Sequence, residues 1–140
     1  MVQGSSMNIE KTETLNIRSG EDIVRVRQNV RTKALAIGLS LVDQTRIITA
    51  ASEIARNTLD YGGGGTVQVD IVSVSVRKGL RLIFNDTGPG IPDIARALED
   101  GYTSGGGMGL GLSGAKRLCS EFDIRSEVGK GTTVTLIRWK

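Results

Sequence analysis

Apolar residues recur along this chain with two different periods, and the places where the period changes divide it into elements. Residues 12–18 alternate polar and apolar positions, which predicts a first strand. Ile23, Val26, Val30, Ala34 and Ile37 follow at helical spacing, with Ser19 and Asp22 as caps and Gly38 as a stop. A second helix is predicted from Asp43, with Ile47, Ala51, Ile54 and Thr58 on its buried stripe, ending before the glycines at 62–65. Residues 66–76 alternate almost throughout and form the clearest strand. Arg77, Lys78 and Gly79 then predict a tight turn into a strand over 80–84. A short helix is expected over 93–98, a loop over 100–107 and a helix over 110–121. Strands 124–128 and 132–138 close the chain as a hairpin through Gly129, Lys130 and Gly131. This order predicts an α/β (α+β) two-layer sandwich, with a mixed, mostly antiparallel sheet covered on one face by helices.

Composition narrows the chemistry. With 140 residues the chain is one domain long, and residues 1–7 are small and polar enough to read as a remnant or frayed start, leaving 8–140 as the domain. Aromatics make up only 4%, so the core rests on Val, Ile, Leu and Ala, which suits strands. There is no His, which removes Ser-His-Asp catalysis and the commonest metal ligand, so any base is a carboxylate, a Lys or a Tyr. The single cysteine, Cys119, sits in an apolar stretch and reads as buried filler. It allows no internal disulfide and fits a reducing, cytoplasmic setting. The net charge of +3 is spread along the chain with no basic-aromatic cluster, so no nucleic-acid partner is expected. No apolar run suits a membrane span or a leader peptide.

Three separated segments carry candidate chemistry. Asp86, Thr87, Gly88, Pro89, Gly90 and Ile91 directly follow an apolar strand. The segment is either a simple turn or a base site: the carboxylate can accept from an exocyclic amine, and Gly88 and Gly90 let the backbone approach a flat ring. Gly105, Gly106, Gly107, Met108, Gly109, Leu110, Gly111 and Leu112 run straight into a predicted helix. That run is either a flexible linker or an anion cradle of free amides at a helix start. It lacks the Lys-Ser/Thr of a P-loop, and no strand leads into it as a dinucleotide fingerprint requires. Glu53 and Asn57 stand four apart on one helical face. They are either solvated or a pair in which Asn57 gives magnesium a neutral oxygen and Glu53 is a base.

Taken in order, Glu-x-x-x-Asn, Asp-x-Gly-x-Gly, Gly-x-Gly-x-Gly and Gly-Lys-Gly-Thr resemble the GHKL superfamily of gyrase, heat-shock, MutL and histidine-kinase ATPases. The resemblance spans about Leu15 to Trp139 and is nearest to the small anti-sigma-factor serine/threonine kinases of the RsbT group. It implies the Bergerat fold, ATP and Mg2+. By resemblance Asn57 is the magnesium ligand and Asp86 holds the adenine amine, with Gly88, Gly90 and Ile91 along the base. Gly105 to Leu112 form the lid over the phosphates, and Thr132 lies near the adenine. Leu110 departs from the smaller residue expected there, which bears on lid packing.

The function so implied is an ATP-dependent protein serine/threonine kinase with Glu53 as its base. Its substrates would be STAS-domain proteins of a stressosome (RsbS/RsbR-like), and it would then activate a PP2C-type phosphatase (RsbU-like). The alternatives are a nucleotide-dependent anti-sigma factor that binds a sigma factor, and a stand-alone GHKL ATPase module.

Overall fold

The computed structural model describes residues 7–99 and 111–140. Its elements run β1 (Met7–Ile17), α1 (Gly20–Ala36), α2 (Leu41–Asp60), β2 (Gly65–Val74), β3 (Arg77–Asp86), α3 (Ile94–Ala97), α4 (Leu112–Leu118), β4 (Glu121–Glu127) and β5 (Gly131–Trp139). The five strands form one sheet in the order β1-β2-β3-β5-β4. Among the described residues every pairing is antiparallel, so no parallel strand mixes the sheet there. The reason lies in the connections. Ile17 at the end of β1 pairs with Gly65 at the start of β2, so α1 and α2 return the chain to the end of the sheet it left.

Alternation along the strands separates two faces. Ile17, Val67, Val69, Leu80, Leu82, Phe84 and Leu136 point to one side, where they pack with Val26 and Val30 of α1, Ile47 and Ile54 of α2, and Leu112 of α4. The other face carries a small satellite cluster of Val72, Ile137 and Trp139. Helix starts follow local chemistry. Ser19 Oγ accepts from the Asp22 amide and Ser40 Oγ from the Asp43 amide, each satisfying an otherwise orphaned N–H. Gly38, with φ +80°, ends the α1 turn as its position suggests.

The structure departs from the periodic reading at five places. First, β1 begins at Met7, not at residue 12, so Met7 belongs to the domain. The all-polar run 10–14 hides this start, and a register shift between Ile9 and Lys11 turns Met7 and Ile9 to the opposite face from Leu15 and Ile17. Second, α2 begins at Leu41 with Ser40 as its cap, two residues before Asp43. Leu41 and Val42 are both exposed, so they lie off the buried stripe. Third, the β2–β3 turn is Ser75 and Val76, with Val74 opposite Arg77 and a φ of +57° at Ser75. Gly79 is therefore not a turn residue; it lies within β3 opposite Trp139, where a Cβ would meet the indole ring at 2.5 Å. Fourth, α4 stops at Leu118, and residue 121 is already strand. Cys119 is extended and the Ser120 amide donates to the Ile137 carbonyl at 2.8 Å, which turns the chain back to the sheet. Fifth, α3 is only Ile94–Ala97, inside the expected 93–98, with Asp93 and Leu98 as its caps. The loop expected over 100–107 lies outside the described residues.

Candidate functional site

The strand register places Gly65, Asp86, Thr132 and Ser126 in one row across β2, β3, β5 and β4. Next to this end of the sheet lies a cavity bounded also by the last turns of α2. Its apolar walls are Ile54, Phe84, Ile91, Leu112, Ile124 and Val134, and its polar groups are Asn57, Thr58, Tyr61, Asp86 and Thr132. A slot with hydrocarbon walls and few polar groups suits a flat, partly apolar ligand that those groups orient.

Asp86 is the last residue of β3. Its Oδ1 accepts from the Gly88 amide at 2.9 Å, and its carboxylate also accepts from the Thr132 amide. Burial raises its pKa above the ordinary 3.8, against the pull of those two amides. The loop after it is held from three sides. Tyr61 Oη donates to the Gly90 carbonyl at 2.8 Å, the Gly129 amide to the Pro89 carbonyl at 2.8 Å, and the Ile91 amide to Ser126 Oγ at 2.7 Å. The room a side chain would need at 88 is filled by the Gly62 backbone, and at 90, where φ is +78°, by the Glu127 backbone. Protein packing therefore already demands glycine at both positions, whatever sits in the slot.

Glu53 and Asn57 share a face of α2 as expected, both partly buried. Asn57 is part of the cavity wall, whereas Glu53 is not. The Glu53 carboxylate lies against Gly111, the N-cap of α4, whose φ is +81° and where any side chain would strike that carboxylate. The base candidate thus stands where the glycine run enters α4. Asn57 offers one neutral oxygen, which suits a Mg2+ that takes most of its ligands from phosphate and water. Among the described residues no three His, Cys, Asp or Glu side chains gather into a metal site.

Of the residues expected in a site, Glu53, Asn57, Asp86, Gly88, Gly90, Ile91, Gly111, Leu112 and Thr132 converge on this one end of the molecule. Gly105, Gly106, Gly107, Met108, Gly109 and Leu110 lie outside the described residues. Periodic reading missed Tyr61 and Ser126. Tyr61 follows Asn57 by four residues on the same helical face, and Ser126 pairs with Thr132 once the closing hairpin is in register. Cys119 caps α4 rather than lying inside a helix, and burial pushes its thiol up to about 12, so it remains a protonated filler. No helix among the described residues is long and apolar enough to cross a membrane.

Comparison with known proteins gives the family and the fold. Residues 42–140 match the family described as Histidine kinase-, DNA gyrase B-, and HSP90-like ATPase. The chain is 48% identical over 118 residues to the serine/threonine-protein kinase RsbT of Bacillus subtilis (strain 168), covering 84% of this chain and 89% of that protein. It is 33% identical over 97 residues to the anti-sigma F factor of Geobacillus stearothermophilus, covering 66% of each. Among solved structures, it resembles the RsbU and RsbW domains of a Mycobacterium tuberculosis protein, with a TM-score of 0.59 at 20% identity, over 91% of this chain and 31% of that one. It also resembles the mycobacterial sensor histidine kinase MprB, with a TM-score of 0.55 at 19% identity, over 92% and 97%. At these identities the two structural likenesses concern the fold alone.

Proposed function

The chain belongs to the histidine kinase-, DNA gyrase B- and HSP90-like ATPase family, and from that premise we propose that it is the serine/threonine kinase of a partner switch, which phosphorylates STAS-domain proteins and then activates a PP2C-type phosphatase. It is an ATP-dependent protein kinase, and its likeness to RsbT over most of both chains supports the serine/threonine assignment. The observation that carries the reading is the convergence of Asp86 and Thr132 on an apolar slot whose wall includes Asn57, with Glu53 one turn earlier on the same helix. Asp86 accepts from the adenine amine and the apolar walls take the ring. Asn57 would hold Mg2+, which would supply charge neutralisation on the phosphates. Glu53 takes the proton of the acceptor Ser or Thr hydroxyl as its oxygen attacks the γ-phosphorus and ADP leaves.

Incubating the chain with γ-labelled ATP and STAS-domain proteins from the same source tests this. Label on a specific Ser or Thr is the expected result. Nucleotide-dependent binding of a sigma factor with no transfer to any STAS protein would instead favour the anti-sigma reading, which the Geobacillus relative supports.

Asp86 makes a separate prediction. Removing a hydrogen bond to a charged group costs roughly 1.5–3 kcal/mol, so Asp86→Ala should weaken ATP about tenfold or more in a calorimetric titration. The ionised carboxylate is the stronger acceptor for an amine, so affinity should fall on acidification, starting above the ordinary aspartate range because burial raises this group. Asp86→Asn should remove that acid limb. The stability sign is the opposite. The folded pKa is raised, so folding disfavours the charged form, and Asp86 makes the fold less stable as pH rises through its raised value. An unchanged ATP affinity in Asp86→Ala would remove the adenine role.

A further inference from the structure

Ser126 lies in the same cross-strand row as Asp86 and Thr132, directly opposite Thr132. Its Oγ has three neighbours. The Ile91 amide nitrogen is at 2.7 Å, the Gly131 carbonyl at 3.0 Å and Thr132 Oγ1 at 2.8 Å. An amide N–H can only donate and a carbonyl can only accept, whereas a hydroxyl does one of the first and two of the second. The single Ser126 proton therefore goes to Gly131, and one of its lone pairs accepts from Ile91. What remains is a lone pair, so the contact with Thr132 has one polarity: Thr132 donates and Ser126 accepts. Thr132 thereby commits its only proton away from the cavity that it lines, and turns lone pairs towards it. The ionised Asp86 beside it in the row is also an acceptor, its Oδ1 already engaged by the Gly88 amide.

We infer that Ser126 is a specificity-determining positioning residue: by holding the Thr132 hydroxyl as an acceptor, it makes the cavity select a purine with an amine at the six position over one with a carbonyl there. The inference rests on the nucleotide reading above and adds to it the residue that enforces the choice of base. Asp86 alone repels a six-carbonyl, but a neighbouring hydroxyl free to rotate would donate to that oxygen and weaken the discrimination. The hydrogen bonds around Ser126 remove that freedom. Ser126 itself is outside the cavity wall and acts only through Thr132 and the Ile91 amide.

The test compares ADP with inosine diphosphate, which differs from ADP only at the edge in question: a carbonyl replaces the amine and the adjacent ring nitrogen carries a proton. Calorimetric affinities for both, with Mg2+ present, are measured on the full chain and on Ser126→Ala, Ser126→Val and Ser126→Thr. The unmodified chain should prefer ADP. Ser126→Ala should narrow the ADP-over-IDP preference about three- to tenfold, the reach of one neutral hydrogen bond. Ser126→Thr, which restores the hydroxyl, should keep the parent preference. Ser126→Val has the shape of threonine and suits a strand, so it should behave like alanine and guards against a folding defect in the smaller variant. An equal loss of both nucleotides, with the ratio unchanged, is what a purely structural role would give and overturns the inference. So does a preference in Ser126→Val equal to that of Ser126→Thr. Failure of the unmodified chain to bind ADP would overturn the nucleotide reading itself, and this inference with it.

Discussion

Glu53→Ala is expected to slow phosphotransfer to a protein acceptor by about 10²–10⁴-fold, the usual worth of a general base, while ATP affinity stays close to that of the parent. The separation of the two effects follows from position. Asn57 belongs to the cavity wall, but Glu53 lies one turn away and touches Gly111 where the glycine run meets α4. Removing its carboxylate takes nothing from the slot that holds the base, and alanine is at ease in the interior of α2. Glu53→Gln refines the test, because it preserves size and polarity but cannot take a proton at neutral pH. The two variants should therefore fail alike in single-turnover transfer from labelled ATP. A transfer rate within about threefold of the parent in either variant would end the assignment of Glu53 as base. A large loss of ATP affinity would instead give the residue a structural role against Gly111.

Helical faces and glycine motifs could be read from the residues alone because both are local properties. Glu53 and Asn57 needed only a spacing of four, and Asp86 only its place at the end of an apolar run. Ser126 needed more. Its neighbours Ile91 and Thr132 come from different parts of the chain, and the three meet only when β4 and β5 pair in one particular register. The misplaced boundaries have the same origin. Residues 7–9 are separated from the apolar positions at 15 and 17 by the all-polar run 10–14, and they become strand because β2 supplies a partner. Gly79 looked like punctuation because glycine favours turns, yet the space it leaves is taken by Trp139, which lies sixty residues further along. The helix expected to run to residue 121 ends early because β5 captures Ser120 through the Ile137 carbonyl and the Trp139 amide. In each case a distant strand decides what the local pattern leaves open.

The sheet face away from the helices makes the last prediction. Asp70 is fully buried there, and the register puts it directly between Thr12 of β1 and Arg81 of β3. Arg81 donates to Oδ2 through Nε at 3.1 Å and a terminal nitrogen at 2.9 Å, Thr12 Oγ1 donates to Oδ1 at 2.5 Å, and Gln68 Nε2 reaches both oxygens. One carboxylate thus ties three strands together by charge-assisted bonds. Asp70→Ala strands the guanidinium. Breaking a buried pair costs 3–5 kcal/mol, and because Arg81 keeps some contact with water the lower end applies, about 3 kcal/mol. For a chain of this length that is a fall in Tm of roughly 10 °C. Arg81→Met should cost at least as much, since it leaves the fully buried member of the pair charged with only neutral donors. The double variant Asp70→Ala/Arg81→Met should lose less than the sum of the two single losses, because it removes both desolvation penalties together. ATP affinity of the folded protein should not change. Asp70 is five residues along β2 from the site row, about 17 Å, and faces the other way. Simple additivity of the two single losses in thermal melts would show that Asp70 and Arg81 contribute nothing as a pair.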